Sequence, residues 1–246
     1  MRDHDPVPIR AAAERLRGHL VATPVLGDPL LPGLAPHPRL RLKLECLQVG
    51  GSVWYRGARH WWLRQLGGCK GVVVTGREDQ VQAAAAAVGG RVPCHGIVAG
   101  PITAAGEARL AALGLILVRV PTPQAAAEAQ RALQSRHGFA RLPEPAGDPV
   151  VAAGIATLGL ELAVELAAAV EQVFVNDPVV AGLVQAGLLA GGHAARVVAA
   201  PPGSAGETVA QALLAGLRLG LSAAEAASVA AALAAGEHEV CAVTGA

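Results

Sequence analysis

From residue 71 onward, short apolar runs alternate with alanine-rich stretches of helical spacing, and this alternation limits the fold more than any other feature. The runs at 71–75, 94–99, 115–120, 172–176, 195–200 and 238–243 have the length and β-branched content of buried strands. The stretches between and around them predict helices at 56–66, 79–88, 104–113, 123–137, 150–169, 182–191, 205–217 and 222–235. Gly138 fits a stop after the 123–137 helix, and Gly114 a stop after the one before it. Upstream, Ile9, Ala13, Leu16 and Leu20 recur at helical spacing until Thr23-Pro24 marks a turn. Arg39 to Glu45 alternates charged and apolar residues, which predicts a half-exposed strand. Strands that alternate with helices build mainly parallel sheets covered by helices, so the fold class is α/β. Alanine tracts such as Ala83–Ala87 sit on predicted helices, and no repeat of fixed period runs through the chain.

Several function classes find no support. The 246 residues suffice for one large domain or two small ones. A net charge of +1 with 16% charged residues gives no basic field for nucleic acid or an anionic membrane. The longest nearly uncharged stretch, from Val150, meets Glu161 and Glu165 too soon to span a bilayer. No apolar run follows Met1-Arg2-Asp3-His4-Asp5, so no secretory signal is expected. Cys46, Cys69, Cys94 and Cys241 lie far apart without a C-x-x-C pair, which suits reduced, buried thiols and a cytoplasmic protein. The histidines show no metal-ligand spacing, and there is no G-x-S-x-G, no P-loop and no G-x-G-x-x-G after a strand.

The segment Lys43-Leu44-Glu45-Cys46-Leu47-Gln48-Val49-Gly50-Gly51-Ser52-Val53-Trp54-Tyr55-Arg56-Gly57-Ala58 resembles the K-L-E-x-L-Q-x-x-G-S-F-K-x-R-G-A signature of fold-type II pyridoxal-phosphate (PLP) enzymes, in the threonine/serine dehydratase and serine racemase group. Leu16-Arg17-Gly18 with Thr23-Pro24-Val25-Leu26 resembles that group's opening motif. Asp148-Pro149-Val150-Val151-Ala152-Ala153-Gly154-Ile155-Ala156-Thr157, followed by Glu161, resembles its D-P-x-v-i-a-G-Q-G-T…E motif. The likeness covers roughly residues 9–200. It implies a tryptophan-synthase-β-like fold of two three-layer αβα domains with mainly parallel sheets, here shortened at the C-terminus. It further implies a large discontinuous domain of 1–66 plus 143–246 and a small inserted domain of 67–142. The Pro/Gly-rich stretch 141–149 is the best boundary by composition.

The same resemblance identifies what has changed. Trp54 stands where the group carries its Schiff-base lysine, so no catalytic residue is assigned there. The only lysines are Lys43, on the charged side of its strand, and Lys70, before the next strand. In place of the group's S-x-G-N-H-x-Q loop the chain has Gly76-Arg77-Glu78-Asp79-Gln80-Val81-Gln82, which puts Glu78 and Asp79 at a helix N-terminus that would otherwise attract an anion. In place of a glycine-rich phosphate loop it has Asn176-Asp177-Pro178-Val179-Val180: Pro178 lacks an N–H, Val179 and Val180 resist positive φ, and Asp177 adds negative charge. Thr244 near the chain end is not assigned the role of the group's distal Ser or Cys. Ser52, Trp54, Glu78, Asp79, Gln80, Asp177, Pro178 and Val179 are therefore the expected vestigial pocket. No cofactor and no metal are expected in it.

Trp54, Tyr55, Trp61 and Trp62 place four of the chain's six aromatic side chains in one short window. Core packing around a vacated cavity is the leading expectation for them, followed by an interface anchor at Trp61 and Trp62, and then by ligand stacking. Glu45 and Glu161 read as structural. Gly187, Gly191 and Gly192 suggest close helix packing. The functional expectation is a catalytically inactive dehydratase-like pseudoenzyme, kept for binding or assembly as a homodimer or beside an active paralogue. One alternative is an active PLP-dependent lyase or racemase. The other is a repurposed pocket for a small, more cationic molecule.

Overall fold

The computed structural model describes residues 6–27, 40–65, 68–199 and 239–244. Helix α1 (Pro6–Leu16) buries Ile9, Ala12 and Leu16 along one side. Then come β1 (Val25–Gly27), β2 (Leu40–Leu44) and α2 (Trp54–Arg64). The middle of the chain forms β3 (Val72–Thr75), α3 (Glu78–Val88), β4 (Cys94–Ala99), α4 (Ala104–Ala112), β5 (Leu115–Val120), α5 (Pro123–His137) and β6 (Ala140–Arg141). It continues through α6 (Pro149–Glu165), β7 (Val170–Val175), α7 (Pro178–Ala190), β8 (Arg196–Ala199) and β9 (Glu239–Thr244). The strands at 94–99 and 115–120 and the helix at 123–137 lie where the sequence places them. Gly138 (φ +66°) closes α5 and Gly114 (φ +71°) follows α4, both in the left-handed region that glycine tolerates. The helices predicted at 205–217 and 222–235 lie outside the described residues.

Two sheets result. One has the order β1-β2-β9-β7-β8, parallel except for β1 against β2; the other, β5-β4-β3-β6, is wholly parallel. This is the expected α/β architecture. Parallel strands direct all their carboxyl ends to one side of a sheet, which is where α/β folds carry their sites. The loop after β3 begins Gly76-Arg77 and the loop after β7 begins Asn176-Asp177.

Two local expectations are corrected. The half-exposed strand expected at 39–45 is observed over Leu40–Leu44 as a mostly buried one: β2 lies between β1 and β9, and Lys43 and the following Glu45 are both fully buried. Charge alternation failed there because buried counter-charges, not water, receive the polar side chains. The helix predicted from Gly182 starts at Pro178, because Asp177 caps it and proline suits the first helical position.

Helix α6 is apolar nearly all round and is buried between α2 and α7. Glycines set these approaches. A Cβ on Gly154 would stand 2.6 Å from the Arg56 carbonyl, and one on Gly57 2.8 Å from Val151. Added Cβ atoms on Gly159 and Gly187 would overlap the backbones of Val184 and Ala156, so the Gly187 expectation of close packing holds. Trp54, Tyr55, Trp61 and Trp62 are all buried in one core cluster. The interface reading of Trp61 and Trp62 is thereby corrected, since both indoles are consumed within the chain. Among the described residues no helix is long and apolar enough to cross a membrane.

Candidate functional site

Two polar constellations meet near the N-terminus of α2. The first is a buried ion network. Lys43 Nζ donates to Thr23 O (2.7 Å), Glu161 Oε1 (2.5 Å) and Glu165 Oε2 (2.7 Å), which uses all three ammonium hydrogens. Arg56 grips Glu45 in a fork, Nε to Oε2 and Nη2 to Oε1 at 2.8 Å each, and Nη2 also donates to Glu161 Oε2 at 2.8 Å. Thr23 Oγ1 donates to Glu45 Oε1 at 2.5 Å. Burial alone would raise the Glu45 carboxyl, but Arg56, Thr23 and Lys43 outweigh it and hold the group below its ordinary range. Burial likewise opposes charge on Arg56, and Glu45 and Glu161 reverse the balance and raise its pKa. Glu45 and Glu161 thus act within the packing of β2, α2 and α6.

The second constellation spans the carboxyl ends of the two sheets. Trp54 opens α2, and its amide N–H donates to Ser52 Oγ at 3.3 Å. Its indole lines a small cavity of about 30 Å³ with Ala58, Val74, Thr75, Gln80, Leu142, Pro143, Glu144, Pro145 and Val151. Such a volume admits about two waters. Trp54 is only 7% exposed, and its indole nitrogen is buried with no hydrogen-bond partner among the described residues. Arg77 lies over the ring, its Cζ 5.6 Å from the centroid. From there it reaches Asp79 at 3.1 Å on its own helix and Asp177 at 3.3 Å across the cleft. Burial would lower the Arg77 pKa, and Asp79 and Asp177 outweigh it to raise the value.

The remaining expected residues fall into place around this bridge. Gln80 Oε1 accepts the Arg77 amide at 2.9 Å and so caps α3. Glu78 sits in the first turn of α3 as expected, but it pairs with Arg109 at 2.7 Å and is absent from the cavity lining. Asp79 likewise faces Arg77, so the acidic lip is partly neutralised. Asp177 Oδ1 accepts from the amides of Val179 (2.9 Å) and Val180 (3.2 Å), the N–H groups that an incoming anion would need. Pro178 and Val179 are the first helical residues of α7. Thr244 is buried, its hydroxyl donating to Lys43 O at 3.1 Å. Trp54, Gln80, Asp79 and Asp177 are therefore joined, directly or through Arg77, while Glu78 points away.

Arg77 and the wall at Leu142–Pro145 were not assigned to the site from sequence. The wall comes from the proline-rich stretch read as a boundary. Arginine directly after a strand-ending glycine, two residues before an aspartate, was the available signal for the bridge.

No family model and no curated protein sequence matches the chain. Solved structures do. A pyridoxal 5′-phosphate-dependent aspartate racemase superposes with a TM-score of 0.77 at 19% identity, over 97% of this chain and 94% of the other. A threonine deaminase from T.th. gives 0.77 at 23% identity, covering 97% of each chain. Maize serine racemase gives 0.76 at 18% identity, over 99% and 94%. The fold is the fold-type II fold.

These neighbours correct one expectation. The sequence predicts no cofactor because individual contact residues differ, yet the solved structures that share this fold include a pyridoxal 5′-phosphate-dependent racemase, which points to PLP. Side chains can change without removing the frame. The residues present do not fit a PLP held through a lysine: position 54 is an indole, Lys43 is locked in the buried network, and Lys70 is exposed ahead of β3.

Proposed function

We propose that this fold-type II chain is a catalytically silent, threonine/serine dehydratase-like scaffold that serves in binding or assembly. Its cleft lies between a large domain of 1–66 plus 143–246 and a small domain of 67–142. The observation that carries the reading is Trp54, a buried indole where the family likeness calls for the lysine that would hold the cofactor and move the α-proton. Indole nitrogen is not basic and can do neither. Lys43 cannot substitute, because its three hydrogens are bound to Thr23, Glu161 and Glu165. The Asp177 carboxylate on the amides of Val179 and Val180, with Arg77 paired to it, supports the same reading at the expected phosphate position.

The test is incubation with excess PLP, borohydride reduction and peptide mass mapping, alongside ammonia release from threonine and serine. The expected result is no reduced adduct on Lys43 or Lys70 and no turnover. An adduct on either lysine with ammonia release overturns the reading and restores the lyase or racemase alternative. For the assembly role, a dimeric mass or co-purification with an active paralogue is expected; a strictly monomeric protein without a partner removes it.

A further inference from the structure

The face of Trp54 already carries a cation. Arg77 lies over the ring between Asp79 and Asp177, yet its side chain is 57% exposed and its ion pairs measure 3.1 and 3.3 Å. Exposed pairs of this kind are weak and screened by salt, so the guanidinium can leave. The rim holds more carboxylate than Arg77 neutralises: Glu144 lines the cavity and has no ion-pair partner among the described residues. At the edge of the ring, the indole nitrogen is buried and has no hydrogen-bond partner among the described residues, in a side chain that lines an otherwise mostly apolar cavity. An aromatic face flanked by carboxylates recognises cations, and a buried N–H without a partner recognises an acceptor.

We propose that the Trp54 face, Asp79 and Asp177 form a binding site for a small organic ammonium ion that also bears a hydrogen-bond acceptor, with Arg77 as its built-in competitor. The inference rests on the silent-scaffold reading and names the ligand class of that cleft. The small cavity admits only the end of the acceptor arm, about two heavy atoms such as a hydroxymethyl group. A carboxylate on the ligand is disfavoured, because Asp177 already holds the amides at the start of α7.

Calorimetric titration at constant ionic strength tests this with ethanolamine as the probe and ethylammonium and acetate as comparisons. Arg77→Ala is expected to bind ethanolamine about tenfold more tightly than the unaltered protein. In that background Asp79→Asn with Asp177→Asn is expected to abolish binding. Asparagine at 177 caps α7 as aspartate does, and Asp79 holds only the exposed Arg77, so this variant keeps its fold. Ethylammonium should bind several-fold more weakly than ethanolamine, and acetate not at all. Equal affinity with and without Arg77, or binding that survives the double asparagine change, overturns the site; equal ethylammonium and ethanolamine affinities overturn its acceptor half. A lysine adduct in the borohydride experiment sinks the silent-scaffold reading instead, and flat amine titrations without an adduct sink only this inference.

Discussion

The buried network under β2 and the cleft at Trp54 meet at the start of α2, where Arg56 and Trp54 stand two residues apart, yet they handle polarity in opposite ways. In the network each ammonium and guanidinium reaches a named carboxylate, hydroxyl or carbonyl. In the cleft the Trp54 nitrogen and the Asn176 side-chain oxygen are buried without partners among the described residues, and the principal cation is exposed. Charges taken from water are tolerable only when fully paired, so the network fixes geometry tightly and punishes any deletion. Unpaired groups mark a place where the fold does not dictate the side chain. The difference separates the part of the molecule that sets the architecture from the part free to change its ligand.

Deleting a network cation should break the comparison most visibly. Arg56→Ala leaves Glu45 buried with its strongest partner gone, and a loss of about 3–5 kcal/mol is expected in urea unfolding. Lys43→Met should cost less, about 1–3 kcal/mol, because Glu161 keeps Arg56 and the side chains of Glu161 and Glu165 are 23% and 29% exposed. Equal losses would show that depth of burial does not set the penalty here.

The frame also contains a buried histidine whose pKa its surroundings lower. His60 on α2 donates from Nδ1 to Val150 O at 2.7 Å and meets Arg15 at 3.1 Å through Nε2. Arg64 and Asp148 also act on it. Burial lowers its pKa below 6.5, Arg15 and Arg64 lower it further, and the Val150 bond and Asp148 only partly oppose them. The unfolded chain therefore takes up this proton first as pH falls below 6.5, and stability should decline from there down to the folded pKa and then level off. Thermal unfolding of the unaltered protein between pH 7 and 5 should show a steeper loss than His60→Gln; identical slopes would remove His60 as the source.

The sequence made the architecture legible because strand and helix periods, glycine stops and the motif frame all concern local pattern. Strand β4, strand β5 and helix α5 are readable to the residue for that reason. What stayed hidden was long-range pairing. Nothing near Lys43 announces Glu161 and Glu165, more than a hundred residues away, so a buried strand looked amphipathic. The same blindness concealed Arg77, whose partners are a ring at 54 and a carboxylate at 177. Position 54 was recognised as the altered site, but inferring an empty frame from altered contacts went too far, as the fold's neighbours show.

The smallest effect is expected where the side chain is largest. Trp54→Phe keeps an aromatic ring in the core cluster and removes a buried N–H that has no partner among the described residues. Removing an unsatisfied donor recovers its desolvation cost, which offsets the lost ring area, so stability should change by less than about 1 kcal/mol in either direction. Trp54→Ala, by contrast, opens a core cavity and should cost about 3–5 kcal/mol. Parallel urea titrations of the two variants decide the matter. A phenylalanine variant nearly as weak as the alanine one would mean that the indole nitrogen is satisfied in solution, and the cleft would then be as fully paired as the network behind it.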